Sequence, residues 1–268
     1  MILEFFQGAF CYGGPMTESL TSRVVLVTGG NSGIGLAIAR GCAAAGADIV
    51  IWGTNPQKND VARAQLQETG RRVLAQVCDV SDEAAVISSF GTAVAAMGKI
   101  DTLFVNAGVG GFSPFIQMSL EEWRRVTSVQ LDGAFLCLRE AAKHMVERGG
   151  GGSLVAISSV SAYDGAPGMQ HYARAKAGVL SMMRGLAVEL ARNKIRCNSL
   201  LPGWTKTDMN APLWQRGSKV LDATTARTPA RRWAEPAEMA KAAVFLADPS
   251  YTFHTGDELV VDGGYTIF

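Results

Sequence analysis

The most informative segment of this chain runs Thr28-Gly29-Gly30-Asn31-Ser32-Gly33-Ile34-Gly35. It follows a β-branched run at residues 24–27, which predicts a buried strand, and it opens an alanine-rich stretch at 34–45, which predicts a helix ending at Gly46. The glycines allow the backbone to turn tightly and to approach a pyrophosphate. The helix N-terminus adds unpaired N–H groups and a favourable dipole. The segment therefore predicts a strand–loop–helix unit that binds a dinucleotide.

Strand and helix patterns alternate from this unit to the end of the chain. Further strands are predicted at residues 48–52, 72–78, 101–105, 153–158, 196–201 and 258–261. Helices are predicted at 56–69, from an N-cap at Ser81 to about 96, from the capping-box pair Ser119 and Glu122 to about 147, and at 172–193 and 238–246. The alternation predicts an α/β fold, with a single doubly wound, Rossmann-type domain whose seven-stranded parallel sheet has helices on both faces.

Two segments stand apart from this alternation. Residues 1–20 are assigned to an N-terminal extension, and residues 21–268 to a single dinucleotide-binding and catalytic domain. The extension lacks the basic start of a signal peptide, and it is either a cloning remnant, an early translation start or a segment packed at a subunit contact through residues such as Phe5, Phe6 and Phe10. Residues 204–236 lack clean periodicity, which predicts a lid-like insertion or two short surface helices.

The composition excludes several classes of function. Of the 268 residues, 25 are basic and 24 are acidic, so no concentrated basic face for nucleic acid or an anionic membrane is expected. No run of about 18 apolar residues predicts a membrane span. The five cysteines, at positions 11, 42, 78, 137 and 197, lack metal-binding spacing and are interpreted as reduced thiols. We therefore expect a cytoplasmic protein without a metal site.

Several further motifs follow the glycine-rich segment in a fixed order. They are Asp79-Val80, Asn106-Ala107-Gly108, Ser159 with Tyr172-x-x-x-Lys176, Pro202-Gly203 with Thr207, and Val261-Asp262-Gly263-Gly264. In this order and spacing, and over nearly the whole chain from about residue 20, the sequence resembles the short-chain dehydrogenase/reductase family. The resemblance implies a nicotinamide-dependent oxidoreductase that acts on a small-molecule substrate.

The resemblance also implies which residues contact the cofactor. The glycine-rich loop would hold the pyrophosphate and the adenosine ribose, and the loops after later strands would hold the adenine and the nicotinamide end. The residues so assigned are Gly29, Asn31, Ser32, Gly33, Ile34, Gly35, Gly53, Thr54, Asp79, Val80, Asn106, Ala107, Gly108, Tyr172, Lys176, Pro202, Gly203, Thr205 and Thr207. For Asp79 and for Pro202-Gly203, a plain turn without a ligand role stays open.

The choice between NAD(H) and NADP(H) depends on the charge that follows the second strand. An acidic residue there accepts from the ribose 2′-hydroxyl, and an arginine pairs with a 2′-phosphate. The sequence has Gly53-Thr54-Asn55 there and Ser32 before the second motif glycine, so it offers neither charge. An unpaired dianionic phosphate is the larger penalty. The sequence narrowly favours NAD(H), unless Lys58 or Arg63 folds back over the site.

The predicted catalytic residues are Ser159, Tyr172, Lys176 and Gln130. A helix places Tyr172 and Lys176 on one face, and a neighbouring ammonium lowers the pKa of a phenol. By the resemblance, Tyr172 would exchange a proton with the substrate oxygen, Lys176 would hold the cofactor ribose, and Ser159 would hydrogen-bond the substrate carbonyl. Ser158 and Ser161 are neighbours, but the family spacing selects Ser159.

Gln130 within this set and His171 beside it differ from the family pattern or compete with it. Gln130 stands where many family members have an asparagine that carries a water chain to the lysine, so the proton relay is re-routed or impaired here. His171 precedes the tyrosine, but it ranks below Tyr172 as a base because no carboxylate is placed in sequence to orient it. The remaining histidines, His144 and His254, are interpreted as surface or hydrogen-bonded residues.

The predicted substrate pocket is mostly apolar. Its candidate lining residues are Val109, Phe112, Val160, Ala162, Met169, Trp204, Met209, Leu213 and Trp214. We therefore expect an uncharged, fairly hydrophobic ketone or secondary alcohol as substrate. Arg227, Arg231 and Arg232 leave open an acidic tail or carrier phosphate, as in a 3-oxoacyl-thioester reductase, although a solvated charge run is the commoner explanation. Dehydration, epimerisation and a non-catalytic nucleotide-binding role also stay open.

The chain is expected to assemble as a homotetramer or homodimer. The predicted helices at 119–147 and 172–193 carry apolar residues on more than one stripe, so a second stripe is available to a partner subunit. The apolar end at 265–268 would form another contact, unless it is buried within one subunit.

Overall fold

The computed structural model describes residues 19–215 and 217–268, and the predicted α/β architecture is confirmed within them. The sheet has seven parallel strands in the order β3-β2-β1-β4-β5-β6-β7. The strands are β1 Val24–Thr28, β2 Asp48–Gly53, β3 Val73–Val77, β4 Thr102–Val105, β5 Gly152–Ile157, β6 Ile195–Pro202 and β7 Glu258–Val261. The order reverses between β1 and β4, and such a reversal opens a crevice at the carboxyl ends of the strands.

Helices cover both faces of this sheet. They are α1 Gly33–Ala44, α2 Pro56–Gln67, α3 Glu83–Met97, α4 Leu120–Thr127, α5 Gly133–Arg148, α6 Gln170–Leu190, α7 Ala211–Trp214, α8 Lys219–Arg227 and α9 Glu238–Ala247. Val24 and Leu26 of β1 join the core cluster that α3, α5 and α6 cover. Val25 and Val27 join the cluster beneath α1, α2 and α9. Burial on both faces explains why β1 is apolar at every position rather than at alternate ones.

The predicted N-cap of α3 is wrong by one residue. Asp82 caps the helix, and its carboxylate accepts hydrogen bonds from the N–H groups of Ala84 and Ala85. Ser81 is bound instead to Asp79, through its N–H at 2.9 Å and its hydroxyl at 2.7 Å. The local contact with Asp79 therefore removes Ser81 as a competitor for the helix end.

The helix predicted from 119 to 147 is also interrupted. A π-helical turn at Ser128–Asp132 separates α4 from α5, and it carries Gln130. Ser119 caps α4 by accepting from the Glu122 N–H, but the Glu122 side chain bonds Arg125, so only half of the predicted capping box forms. The period of the apolar pattern does not distinguish a π turn from continuous α-helix, and such turns often lie at functional sites.

The insertion at residues 204–236 is anchored at both ends. Thr205 pairs with Ala234 in an isolated β-bridge, and the rings of Trp204 and Trp233 stack with centroids 4.8 Å apart. Between these ends lie the two short helices α7 and α8. The insertion therefore starts and ends beside the carboxyl end of β6.

The chain is buried near its first described residues and exposed at its C-terminus. Most of the predicted extension, with Cys11, lies outside the described residues, while Leu20 at its end is buried and donates to the Ala45 carbonyl. Cys42, Cys78, Cys137 and Cys197 are free and buried. Ile267 and Phe268 are largely exposed, so the C-terminus is not buried within one subunit. Across the described ranges, no helix is both long and apolar enough to cross a membrane.

Candidate functional site

The crevice between β1 and β4 is held together by Asn106. Its side-chain amide donates to the carbonyl oxygens of Thr28 at 3.0 Å and Gly29 at 3.2 Å. The N–H groups of Asn106 and Ala107 both donate to the Thr28 hydroxyl at 3.0 Å. These four hydrogen bonds fix the start of the glycine-rich loop against the end of β4.

The glycine-rich loop has the geometry of an anion site. Gly29 has a φ of +62°, and a Cβ on Gly35 would collide with the Gly29 carbonyl oxygen. Ser32 is the N-cap of α1, but its side chain makes no capping hydrogen bond. The N–H groups of the first turn of α1 are therefore left for a ligand, which is the arrangement a pyrophosphate needs. These residues fit a bound dinucleotide.

The end of β2 brings Asn31 and Gly53 together through Asn59. The Asn31 amide donates to the Asn59 side chain at 2.8 Å, and a Cβ on Gly53 would collide with that amide. Asn59 is buried on α2 and donates to the Gly53 carbonyl at 3.0 Å. Thr54 is exposed at the edge of this cluster. The sequence prediction missed Asn59, and its one signal was a polar residue of low helix propensity inside a helix.

The predicted cofactor residues in the turn after β3 and the loop after β4 make contacts with other residues of the chain. One carboxylate oxygen of Asp79 accepts both hydrogen bonds from Ser81, which stabilises the turn, and the contact of Asp79 with adenine stays a prediction. Val80 is buried against Gly133. Gly108 lies so close to Gln130 that a Cβ there would come 2.7 Å from the amide nitrogen.

The segment after β6 reaches back over the start of α1. Gly203 donates to the Val261 carbonyl at 2.9 Å, and the Thr205 hydroxyl donates to the Gly203 carbonyl at 3.0 Å. A Cβ on Gly33 would lie 3.4 Å from the Thr207 methyl group. Next to Thr207, Asp208 forms a 2.9 Å ion pair with Lys58 of α2. The insertion thus crosses the glycine-rich loop and is tied on its far side.

Three of the four predicted catalytic side chains meet at the end of β5. The Lys176 ammonium lies 5.6 Å from the centroid of the Tyr172 ring and donates to the Ile157 carbonyl at 2.8 Å. Ser159, two residues after Ile157, lies close enough to Tyr172 to lower the pKa of its phenol. The Ser158 hydroxyl donates to the Lys176 carbonyl at 3.0 Å, which fixes α6 against the strand. The geometry brings a phenol, an ammonium and a hydroxyl into one group.

Burial shifts the pKa values of both Tyr172 and Lys176. Burial raises the pKa of Tyr172, and the hydrogen bond from Ser159 opposes that rise. Burial also lowers the pKa of Lys176 to about 8. The pKa of Tyr172 is therefore raised in the protein alone and not lowered as the sequence predicted, because burial disfavours the charged form of the phenol.

Gln130 lies beside Lys176 in the π turn. It is 2% exposed, and its Nε2 donates to the Val109 carbonyl at 2.8 Å. Its Oε1 has no hydrogen-bond partner within the described part of the chain. A cavity of about 10 Å³ lies next to it, lined also by Lys176 and Thr28. A space of this size with polar walls accommodates about one water molecule.

His171 is oriented by a carboxylate, contrary to the sequence expectation. Its Nε2 lies 3.3 Å from Glu122 Oε1, although the two residues are far apart in sequence. Arg125 clamps the same carboxylate at 2.7 and 2.9 Å and donates to the Gly110 carbonyl at 2.7 Å. His171 is fully buried, so its side chain faces α4 rather than solvent. The remaining two histidines are hydrogen-bonded, His144 to the Ile100 N–H and His254 to Asp257.

The predicted pocket residues are divided between the mouth of the site and the packing around it. Phe112, in the loop after β4, covers Gly168 in the loop before α6. Met209 of the insertion reaches Gly110 in the loop after β4, so the three segments meet there. Val160 is buried, whereas Trp214 binds Thr207 and Asn210 through its indole N–H. Ala162, Met169, Trp204 and Leu213 are partly exposed.

The three arginines that left an anionic substrate open are already engaged. Arg227 stacks on the Tyr265 ring at 4.1 Å and lies 3.5 Å from Asp164. Arg232 pairs with Glu238 at 2.6 Å, and Arg231 donates to the Ala226 carbonyl. Among the residues that the structure describes, no group of three or more His, Cys, Asp or Glu side chains is placed to hold a metal ion.

Comparisons with known proteins agree with this geometry. A family model described as enoyl-(acyl carrier protein) reductase matches residues 29–266. The chain is 39% identical over 248 residues to L-rhamnose 1-dehydrogenase (NAD(P)+) of Sphingomonas sp. strain SKA58, covering 91% of this chain and 96% of that protein. It is also 39% identical over 252 residues to cis-4-hydroxycyclohexanecarboxylate dehydrogenase of Sinomonas cyclohexanicum, covering 94% and 99%.

A solved structure shares the whole fold. The gluconate 5-dehydrogenase of Burkholderia cenocepacia J2315, crystallised with NADP and tartrate, superposes with a TM-score of 0.89 at 35% identity. The match covers 94% of this chain and 99% of that one.

Proposed function

The chain belongs to the short-chain dehydrogenase/reductase family of NAD(P)-dependent oxidoreductases, and on that premise we propose that it interconverts a secondary alcohol and its ketone, with Tyr172 as acid and base. The observation that carries the proposal is the group formed by Ser159, Tyr172 and Lys176 at the end of β5, beside a loop suited to a pyrophosphate. A motif alone would not require these side chains to meet.

Each residue then has a distinct task. A bound nicotinamide supplies or accepts the hydride. Tyr172 Oη gives its proton to the oxygen of a ketone, or takes the proton of an alcohol in the reverse direction. Ser159 donates a hydrogen bond to the same oxygen as negative charge develops there. Lys176, with a pKa of about 8 before the cofactor binds, holds the ribose and favours the phenolate when protonated.

We propose NAD(H) as the preferred cofactor. Thr54 provides no positive charge for a 2′-phosphate, and the two cations that could replace it are paired. Lys58 contacts Asp208 at 2.9 Å, and Arg63 contacts Asp60 at 3.1 Å. Both pairs are exposed, so a phosphate would have to compete with a carboxylate for each of them.

We propose an uncharged, fairly apolar secondary alcohol or ketone as the substrate. Phe112 and Met209 supply apolar contacts at the mouth of the site. Arg227 and Arg232 are paired within the chain, which argues against a carrier phosphate or an acidic tail. Two relatives are named for rhamnose and for cis-4-hydroxycyclohexanecarboxylate, the second of which carries a carboxylate, so cyclic alcohols with and without a carboxylate are the first to test.

The test is a panel of alcohols and ketones with NAD(H) and NADP(H), followed by nicotinamide absorbance. We expect net reduction or oxidation of cofactor with at least one uncharged member. Tyr172→Phe should lower kcat about 10²- to 10⁴-fold, the usual contribution of a positioned acid or base. Tyr251→Phe, a change at a surface tyrosine, is the matched control. Turnover without net change in cofactor would instead indicate dehydration or epimerisation, and turnover of anionic substrates alone would contradict the apolar pocket.

A further inference from the structure

The hydroxyl of Ser159 is bound by the residue two positions further along the chain. Ser159 is the N-cap of a 3₁₀ turn at Val160–Ala162, and its Oγ accepts from the Ser161 N–H at 3.1 Å. The Ser161 hydroxyl lies 2.9 Å from the same oxygen. Ser161 therefore brings two polar groups to the hydroxyl that faces Tyr172.

The number of protons and lone pairs limits how these contacts can be arranged. A serine hydroxyl has one proton and two lone pairs, and a backbone N–H can only donate. The Ser161 N–H thus occupies one lone pair of Ser159. When the Ser161 hydroxyl donates as well, the second lone pair is occupied, and the Ser159 proton must point away from Ser161. If Ser159 donated to Ser161 instead, its proton would be lost to the site.

The two contacts from Ser161 select between these arrangements. The Ser161 hydroxyl donates to the Ser159 oxygen at 2.9 Å beside the Ser161 N–H at 3.1 Å, so both lone pairs are occupied and the Ser159 proton is left for Tyr172, whose pKa Ser159 lowers. The neighbouring hydroxyl of Ser158 does not compete, because it donates to the Lys176 carbonyl at 3.0 Å. The arrangement in which Ser161 donates and Ser159 points toward Tyr172 is therefore the one that the contacts favour.

We propose that Ser161 is a positioning residue that holds the Ser159 hydroxyl as an obligate donor toward Tyr172 and the substrate oxygen. The inference rests on the proposed oxidoreductase function. As hydride adds to the carbonyl carbon, the C=O π pair moves to oxygen and Tyr172 gives up its proton there. Ser159 keeps its proton throughout and donates a hydrogen bond, which is strengthened by the two bonds it accepts.

Without the Ser161 hydroxyl, one lone pair of Ser159 is free. The Ser159 hydroxyl can then rotate and accept a hydrogen bond from Tyr172 or from a substrate alcohol. In that orientation it neither polarises a carbonyl nor stabilises a phenolate. Removing the Ser161 hydroxyl therefore misorients the Ser159 hydroxyl but removes no reacting group.

The first test compares three variants in steady-state kinetics. Ser161→Ala should lower kcat about two- to tenfold, the effect of one ordinary hydrogen bond, with the cofactor dissociation constant unchanged. Ser161→Thr keeps the hydroxyl and should restore most of the rate. Ser113→Ala removes a hydroxyl from the loop after β4 and should leave kcat unchanged. An equal loss in the alanine and threonine variants, or no loss in either, would overturn the proposal.

The second test asks whether Ser161 acts through Ser159. Ser159→Ala should lower kcat about 10²- to 10³-fold, as removal of an oxyanion donor does. Adding Ser161→Ala to that variant should cause no further loss, because the hydroxyl it orients is gone. A further loss of the same two- to tenfold size would show that Ser161 acts independently, and the proposal would fail.

The third test needs neither cofactor nor substrate, so it separates this proposal from the proposed function. The phenolate absorbance of Tyr172 is titrated as the difference between a protein and its Tyr172→Phe counterpart. Ser161→Ala should raise the pKa of Tyr172, whereas Ser161→Thr should not. An unchanged Tyr172 pKa in Ser161→Ala would overturn the proposal even if the enzyme is active. A raised pKa in a protein that turns over no substrate would support it while the proposed function failed.

Discussion

At the scale of single residues, the arrangement around Lys176 combines a buried cation with an unpaired amide oxygen. The Lys176 ammonium carries three protons, and the Ile157 carbonyl accepts one of them at 2.8 Å. Gln130 lines the same small cavity as Lys176, and its Oε1 has no partner in the described chain. One water in that cavity would satisfy both groups, so Gln130 keeps a polar contact on this side of Lys176 despite its longer side chain.

Gln130→Asn tests what the longer side chain contributes. The shorter amide no longer reaches the Val109 carbonyl, which Gln130 now binds at 2.8 Å. A buried carbonyl left unpaired costs about 1–3 kcal/mol, so we expect a loss of this size in the free energy of unfolding, measured with urea. Turnover should stay within about tenfold because Ser159, Tyr172 and Lys176 are intact, a change equal to one ordinary hydrogen bond.

The control for this variant is Gln57→Asn, on the exposed side of α2, which should leave both stability and turnover unchanged. Unaltered stability together with unaltered turnover in Gln130→Asn would remove any special role for the position. A loss of activity comparable to that of Tyr172→Phe would place Gln130 in the catalytic machinery.

We expect a single residue, Thr54, to decide the choice of cofactor. Thr54 is exposed at the end of β2 and lacks the charge that would distinguish the two cofactors. We expect Thr54→Arg to raise the ratio of kcat/KM for NADP(H) over NAD(H) about 10- to 100-fold, because charge-assisted hydrogen bonds contribute about 1.5–3 kcal/mol. Thr54→Gln, of similar length but uncharged, is the control. A ratio that moves equally in both variants would show that size, not charge, determines the preference.

At the scale of elements, α4 joins the loop after β4 to the first turn of α6, and these contacts are called the α4 brace. Arg125 and Glu122 on α4 form a bidentate pair, Arg125 also holds the Gly110 carbonyl, and Glu122 reaches His171 at 3.3 Å. The loop after β4 and the first turn of α6 are thereby fixed to one helix. Tyr172 directly follows His171. The contacts of α4 therefore fix the position of the turn that carries Tyr172 relative to the loop after β4.

Glu122→Gln should loosen this brace and reduce the acid sensitivity of the fold. The hydrogen bond from Arg125 lowers the pKa of Glu122 from 4.5 to about 2. Such a group contributes stability that is full above about pH 4.5 and is lost as the pH falls toward 2. We therefore expect denaturant midpoints of the variant to depend less on pH in this window than those of the natural protein. The kcat/KM for substrate should also fall, by about tenfold, if two polar contacts are weakened.

The matched control is Glu238→Gln. Arg232 lowers the pKa of Glu238 to about 2 as well, but this pair lies at the start of α9. Both variants should flatten the acid limb of stability, and only Glu122→Gln should change kcat/KM. Equal kinetics in the two variants would show that the α4 brace does not position the site.

How far the sequence predicts these elements depends on whether their determinants are local. The strand β1 and the loop after it are local features, since a β-branched run and adjacent glycines are enough to specify them. Ser159, Tyr172 and Lys176 were identified through the resemblance to the short-chain dehydrogenase/reductase family, whose motif lies within one strand–helix unit. The N-cap at Asp82 was missed because two adjacent candidates competed, and the π turn at Ser128–Asp132 was missed because its apolar pattern resembles that of a continuous helix.

Contacts between distant segments were the part that the sequence did not reveal. Glu122 and His171 come together only because α4 packs on α6, and no local pattern specifies that pair. The same holds for Asn31 with Asn59, and for Lys58 with Asp208. The raised pKa of Tyr172 likewise reflects burial by several elements, whereas local spacing gave only the nearby ammonium.

At the scale of the whole molecule, one end of the sheet leaves apolar side chains in solvent. Val188 on α6 is 83% exposed, and Phe253 and Ile267, before and after β7, are almost fully exposed. Ala187 lies against Gly256, so the end of α6 and the loop before β7 are neighbours. The strand β7 is also the edge of the sheet. Monomers rarely leave such a patch uncovered, and edge strands usually need protection.

We therefore expect the protein to form a homodimer or homotetramer that covers this end. Light scattering after gel filtration should give two or four times the chain mass of 28.4 kDa. Val188→Glu combined with Phe253→Glu places two charges in the covered patch, and it should lower the mass because buried like charges without partners are costly. Val61→Glu, at a valine 59% exposed on α2, is the control and should leave the mass unchanged. A mass of one chain for the natural protein, or equal dissociation by the control, would contradict assembly through the β7 end.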